Sequence, residues 1–364
     1  MMERITGMDG LDSANESPVM GALLLLLLLC LSPPVSAPLL AAPEESLDPL
    51  DFDDRPLSQE VRHPAWFKLS FLDLREDLRE SVQAGKRGLI VYFGQKFCPY
   101  CRNLMEINFR QEDIVAYTRA HFDVVAIDIH GSGTVTDLAG REWDEGAFAE
   151  AQKANFTPTL VWYDSSGGEA LRLRGYYPPY QFRAALEYVA DGHYLVESFA
   201  DYLERGAGVF SSDPDLLTEE PFFSSGPYML DRSRRPAQTP LVVFFEQPRC
   251  HPCDVLHAGP LQDPAITARL RELEAVQLDR SAETPVITPA GERLTAREWS
   301  RRLGLFYTPT LLFFDEQGAE ILRVDSVVQF YRLGNVLEYI TSGAYRDFPD
   351  YRRWRDSGGD RPGG

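Results

Sequence analysis

The chain has 364 residues, 44% of them apolar and 12% aromatic, enough for two globular domains that each bury a core. Its formal net charge of -19 argues against a nucleic-acid backbone or an anionic membrane surface as the main partner, because like charges repel. Of the five cysteines, Cys98/Cys101 and Cys250/Cys253 form two Cys-x-x-Cys pairs, and the fifth, Cys30, lies in an apolar N-terminal segment.

That segment, Val19 to Ser32, is short for a membrane span and suits the core of a signal peptide, with Val35-Ser36-Ala37 as a small-residue cleavage signal. Residues 1–42 are therefore expected to be signal peptide and leader, and the mature chain to be periplasmic. Pro38 after the scissile bond and the acidic residues near Arg4 leave an uncleaved membrane anchor as the alternative. Pro43 to Asp54 is acidic and reads as an extended leader.

A helical pattern opens at Leu69 and runs to about Ala84, where Gly85 and Gly88 stop it. Leu89-Ile-Val-Tyr-Phe93 then reads as a buried strand, leading directly into Cys98-Pro99-Tyr100-Cys101 and a helix through Met105. A helical piece (Ile114 to Ala120), a core strand (Phe122 to Asp128), a polar excursion (Gly131 to Gly140) and a helix around Trp143 to Ala154 follow. Thr157-Pro158-Thr159 feeds an apolar strand ending at Ser165-Ser-Gly-Gly168, and a strand near Ala170 to Arg174 and a helix over Pro179 to Ala190 close the unit. The order predicts an α/β domain, a mixed central sheet flanked by helices, over 60–200.

Residues 201–236 are turn-rich and read as a linker, in which Phe222, Phe223 and Tyr228 need somewhere to dock. A second domain over 237–350 repeats the first: Asp128 and Asp279, Thr157-Pro158-Thr159 and Thr308-Pro309-Thr310, and Tyr194 and Tyr345 all stand 151 residues apart. The first cysteines are 152 apart, a slip of one residue. No counterpart of the opening helix is evident, and residues 351–364 read as a disordered tail.

Disulfide exchange needs one thiol ionised near neutral pH and another that resolves the mixed disulfide. Unpaired N–H groups and the helix dipole at a helix start favour a thiolate there, and a partner three residues on lies one turn away. Cys98 and Cys250 are accordingly the expected nucleophiles, Cys101 and Cys253 the resolving thiols. Pro99 suits a first helical position, and Arg249 and His251 place positive charge beside Cys250. Alternatives are a zinc site, a structural disulfide and a copper relay; zinc pairs commonly lie ~15–20 residues apart, whereas each pair here has its own strand and helix.

Together the strand, Phe97-Cys98-Pro99-Tyr100-Cys101, the Thr-Pro step and the trailing Gly192-His193-Tyr194 resemble the thioredoxin-like superfamily, most nearly the SoxW-type exported bacterial thioredoxins. The second unit matches through Phe245-Glu246-Gln247 and Gly343-Ala344-Tyr345. The resemblance implies cis prolines at Pro158 and Pro309, packed beside the cysteines, with Thr157 and Thr308 able to pair with an extended substrate segment; a plain strand-opening proline is the alternative. Two departures stand out. Phe97 and Arg249 replace the usual Trp before the first cysteine, and Tyr92 and Phe244 replace a buried Asp six residues before it, leaving Glu246 as the candidate proton-transfer group of the second unit.

The resulting expectation is an exported thiol-disulfide oxidoreductase, a protein disulfide reductase or isomerase, that needs no cofactor and no metal. It would act on disulfide-containing proteins, not nucleic acid, and draw electrons from a membrane donor of the exported-thioredoxin type. A client-binding chaperone module and a metal carrier are the alternative classes.

Overall fold

The computed structural model describes residues 48–207 and 217–359. The expected signal peptide, its cleavage signal and Cys30 lie outside the described residues. Among the described residues no helix is long and apolar enough to cross a membrane.

The first unit contains α1 (Leu74–Gln83), β1 (Gly88–Gly94), α2 (Pro99–Glu106), α3 (Glu112–His121), β2 (Phe122–Asp128), β3 (Thr134–Thr136), β4 (Glu142–Asp144), α4 (Glu145–Ala151), β5 (Thr159–Asp164), β6 (Glu169–Arg174), α5 (Pro179–Ala190) and α6 (Phe199–Ala207). Its four-stranded sheet has the order β2-β1-β5-β6, with β1 parallel to β2 and antiparallel to β5. All seven residues of β1 are buried because both sheet faces are covered: Ile90 and Tyr92 join one core, Leu89, Val91 and Phe93 the other. A strand covered on both sides reads as a continuous apolar run.

The second unit contains β7 (Tyr228–Met229), β8 (Leu241–Glu246), α7 (His251–Ala258), α8 (Pro264–Leu270), β9 (Glu274–Asp279), β10 (Pro285–Ile287), β11 (Arg293–Thr295), α9 (Ala296–Arg302), β12 (Thr310–Phe314), β13 (Glu320–Val324), α10 (Phe330–Thr341) and α11 (Tyr351–Trp354). Its sheet, β9-β8-β12-β13, repeats the first in order and direction. Val242 and Phe244 face one core, Leu241, Val243 and Phe245 the other.

Three expectations need correction. The opening helix starts at Leu74, capped by Asp73, whose carboxylate accepts from the N–H groups of Arg75 and Glu76, while Leu69 and Phe71 point into solvent. The leader, described from residue 48, buries Leu50 and Asp54. The expected linker contains regular structure, since α6 continues to Ala207 and β7 pairs with β10, while Phe222 and Phe223 dock on the second core as their apolar character requires. The expected disordered tail begins instead with α11, which buries Tyr351 and Trp354 in that core.

The two units share their packing. Phe156 of the first belongs to a core of the second, and Tyr307 and Val327 of the second to a core of the first. The Val327 N–H donates to the Tyr176 carbonyl at 3.2 Å, and the Tyr177 hydroxyl donates to the Asp325 carbonyl at 2.7 Å. Gly175, at φ +100°, presses against Ser326, its counterpart 151 residues on, so a side chain there would collide.

Candidate active site

In each unit the central strand ends just before the first cysteine, and the helix begins just after it. Cys98 and Cys250 are the N-caps of α2 and α7, and their Sγ atoms accept the N–H of Cys101 at 3.0 Å and of Cys253 at 3.2 Å. Pro99 and Pro252 occupy the first helical turns, where no hydrogen bond is lost. Each pair is joined as a disulfide with its Cα atoms 5.1 Å apart.

Both Thr-Pro steps lie against these sulfurs. The Thr157-Pro158 and Thr308-Pro309 bonds are cis. The Thr157 hydroxyl donates to Cys98 Sγ at 3.3 Å, and the Thr157 carbonyl oxygen is 3.5 Å from that sulfur. Cys250 Sγ is 3.4 Å from both the carbonyl and the hydroxyl oxygen of Thr308. A model of the thioredoxin-like domain matches residues 74–190 and again 232–341. The chain belongs to the thioredoxin-like domain family. With two Cys-x-x-Cys disulfides at helix starts, it is a thiol-disulfide oxidoreductase with tandem thioredoxin-like domains.

No curated protein matches the chain. Among solved structures it is similar to a thioredoxin-fold protein from Helicobacter pylori, at 23% identity over 34% of this chain and 85% of that one, with a TM-score of 0.29. A thioredoxin from Thermus thermophilus matches at 22% identity over 36% and 87%, with a TM-score of 0.27. A disulphide isomerase from Xylella fastidiosa Temecula1 matches at 18% identity over 39% and 97%, with a TM-score of 0.24.

The thioredoxin-like pair differs in its buried polar groups. Glu246, at the end of β8, is buried and accepts from Gln277 Nε2 at 2.9 Å, and both its carboxylate oxygens lie 3.1 Å from His257 Nε2. His257 Nδ1 is 2.9 Å from Glu220. His257 stands four residues after Cys253, a spacing that places two side chains on one helix face. Sequence reasoning reached Glu246 but missed His257, although the i, i+4 spacing was available to show it. In the first unit, Met105 stands four residues after Cys101 and Gly94 four before Cys98, so this pair has no counterpart. The phenol of Tyr92, buried in the same core as the first pair, is pushed up by burial.

Arg249 immediately precedes Cys250 with φ +56°, and His251 Nε2 is 2.7 Å from Asp48 Oδ2. Among the described residues no group of three or more His, Cys, Asp or Glu is placed to hold a metal ion.

At the first centre, residues distant in sequence converge. The Tyr100 hydroxyl donates to Asp54 Oδ2 at 2.7 Å and accepts the Gln329 N–H at 3.0 Å. Arg332 of α10 lays its guanidinium 3.3 Å from the centroid of the Tyr100 ring, and its Nη2 donates to the Thr157 carbonyl at 2.8 Å. Neither Asp54 nor Arg332 carries a local sequence signal for this role.

Proposed function

We propose that the protein is exported to the periplasm and reduces or isomerises disulfides of client proteins, in the manner of the SoxW-type exported thioredoxins. The observation that carries the reading is the placement of Cys98 and Cys250 as helix N-caps, each sulfur accepting a backbone N–H and lying beside a Thr carbonyl before a cis proline. Donors aimed at the sulfur favour its thiolate. The thiolate of Cys98 or Cys250 attacks one sulfur of the client disulfide; the client S–S bond breaks, and its other sulfur leaves with the electron pair and takes up a proton. Cys101 or Cys253 then loses its proton and attacks the mixed disulfide, releasing the second client thiol. The domain is left oxidised, and two electrons from a membrane donor restore its thiols. The Val19–Ser32 apolar run supports export.

The test replaces Cys98 and Cys250 with Ser together. Reduction of disulfide-bonded insulin should fall to the uncatalysed rate; undiminished reduction would favour a client-holding role. Cys101→Ser and Cys253→Ser should accumulate mixed disulfides with clients, and fractionated cells should hold the chain in the periplasm. Recovery in the cytosol would overturn the export reading.

A further inference from the structure

The two centres differ in what stands over them. A cavity of about 600 Å³ opens at Cys250 and Thr308, and one of its walls comes from the first domain: Tyr180 and Gln181 of α5 and Glu204 of α6. Glu204 Oε1 is 2.7 Å from Arg280 Nη2 of the second domain, which ties the two walls together. The volume lies in the range of pockets that enclose small ligands, a size that suits a slim segment of chain.

The repeat register shows what this cavity is shaped to receive. Helices α5 and α10 begin 151 residues apart, at Pro179 and Phe330, which makes Gln181 the counterpart of Arg332. At the first centre the Arg332 N–H donor already occupies the Thr157 carbonyl. At the second, Gln181 holds the equivalent helix position and lines the cavity; it is 8% exposed, and its Oε1 has no hydrogen-bond partner. A buried acceptor left unpaired is costly, and a donor that reaches it on binding recovers that cost. An extended peptide supplies such a donor in its backbone N–H.

The geometry points to this cavity as the substrate cleft of the Cys250 centre: a composite of both domains that takes a disulfide carried on a slim, extended peptide segment, with Gln181 accepting a backbone N–H of that segment. The inference rests on the oxidoreductase reading above and divides the work between its centres. Arg332 stands at the first centre where a substrate donor would otherwise bind, so external disulfides react at Cys250 first.

The experiment uses the reduced full chain with Cys30→Ser and only one cysteine retained, Cys98 or Cys250, the remaining three being replaced by Ser. The probe is a short cysteinyl peptide activated as its 2-pyridyl disulfide. The retained thiolate forms a disulfide to the peptide sulfur, the peptide-to-pyridyl S–S bond breaks, and pyridine-2-thione leaves with the electron pair and is read by absorbance. The Cys250 chain should react at least about tenfold faster than the Cys98 chain, because access controls the exchange rate. Adding Arg332→Met, which keeps an apolar stem beneath Tyr100, should raise the Cys98 rate toward that of Cys250. Gln181→Ala should slow the peptide reaction at Cys250 about three- to tenfold, the worth of one hydrogen bond, and slow hydroxyethyl disulfide, which has no backbone N–H, by less.

Equal rates at Cys98 and Cys250 would overturn the division of labour without touching the oxidoreductase reading, which fails only if neither thiol exchanges. An equal deficit for both probes with Gln181→Ala would overturn the peptide assignment. The comparison of the two single-cysteine chains needs no substitution at Arg332 or Gln181, so it stands even if either of those variants fails to fold.

Discussion

His257 contacts two carboxylates, Glu246 through Nε2 and Glu220 through Nδ1, with only 3% of its surface exposed. Burial by itself would lower its pKa, but the hydrogen bonds and charges of Glu246 and Glu220 outweigh that and hold it above the ordinary value. A folded-state pKa above the unfolded one means that protonation favours folding. The contribution is therefore complete below about pH 6.5 and is lost as pH rises through the folded value. His257→Leu leaves Glu246 buried without its cation, and urea denaturation at pH 6 should show a loss of about 3 kcal/mol. The gap from the parent protein should narrow as pH is raised, and a gap independent of pH would count against a charged imidazole. The same side chain, one helical turn beyond Cys253, also gives the second centre a buried proton-carrying neighbour that Met105 cannot give the first.

Among the elements, α10 shows how a helix can draw its cap from a distant segment. Gln329 at its N-cap makes no side-chain capping bond, and Asp54 from the leader accepts the N–H groups of Tyr331 and Arg332 at 2.7 Å each. These are second- and third-position donors that helix geometry leaves unpaired. Asp54 also accepts the Tyr100 hydroxyl, so one carboxylate fastens the leader, α10 and the first Cys-x-x-Cys turn. Asp54→Ala should cost about 2 kcal/mol in urea denaturation, as for loss of a strong N-cap. An unchanged midpoint would show the leader to be a passive cover. The capping box of α9, Thr295 with Glu298, is by contrast local and readable from its spacing.

Over the whole molecule, the shared cores predict coupled unfolding. Phe156 is buried against Tyr351 of the other unit, their ring centroids 5.4 Å apart, and Tyr177 packs edge-on against Tyr307 at 5.4 Å. An apolar contact of this kind joins domains that would otherwise melt separately. Probes placed in the two domains should therefore report one coincident denaturation curve. Phe156→Ala should cost about 3–5 kcal/mol, and should do so on both probes; two separated transitions in the parent protein would refute the coupling.

Much of this was written in local sequence. Continuous apolar runs at Leu89 and Leu241 mark strands covered on both faces, and the constant 151-residue offset reveals the duplication before any contact is known. The helix over Pro179–Ala190 and the strand over Phe122–Asp128 follow from periodicity and composition alone. The cysteine pairs could be found for the same reason: helix start and resolving thiol lie within one turn of chain. Only the tertiary structure decided what covers each centre. Asp54, Gln181 and Arg332 act on partners far away along the chain, and α11 is held by a core to which its charged flanks give no clue. Local pattern encodes the pairing and burial of neighbouring residues. The meeting of two similar domains depends on shape complementarity between distant surfaces, and it leaves Arg332 on the Thr157 carbonyl at one centre and the larger cavity at Cys250 of the other.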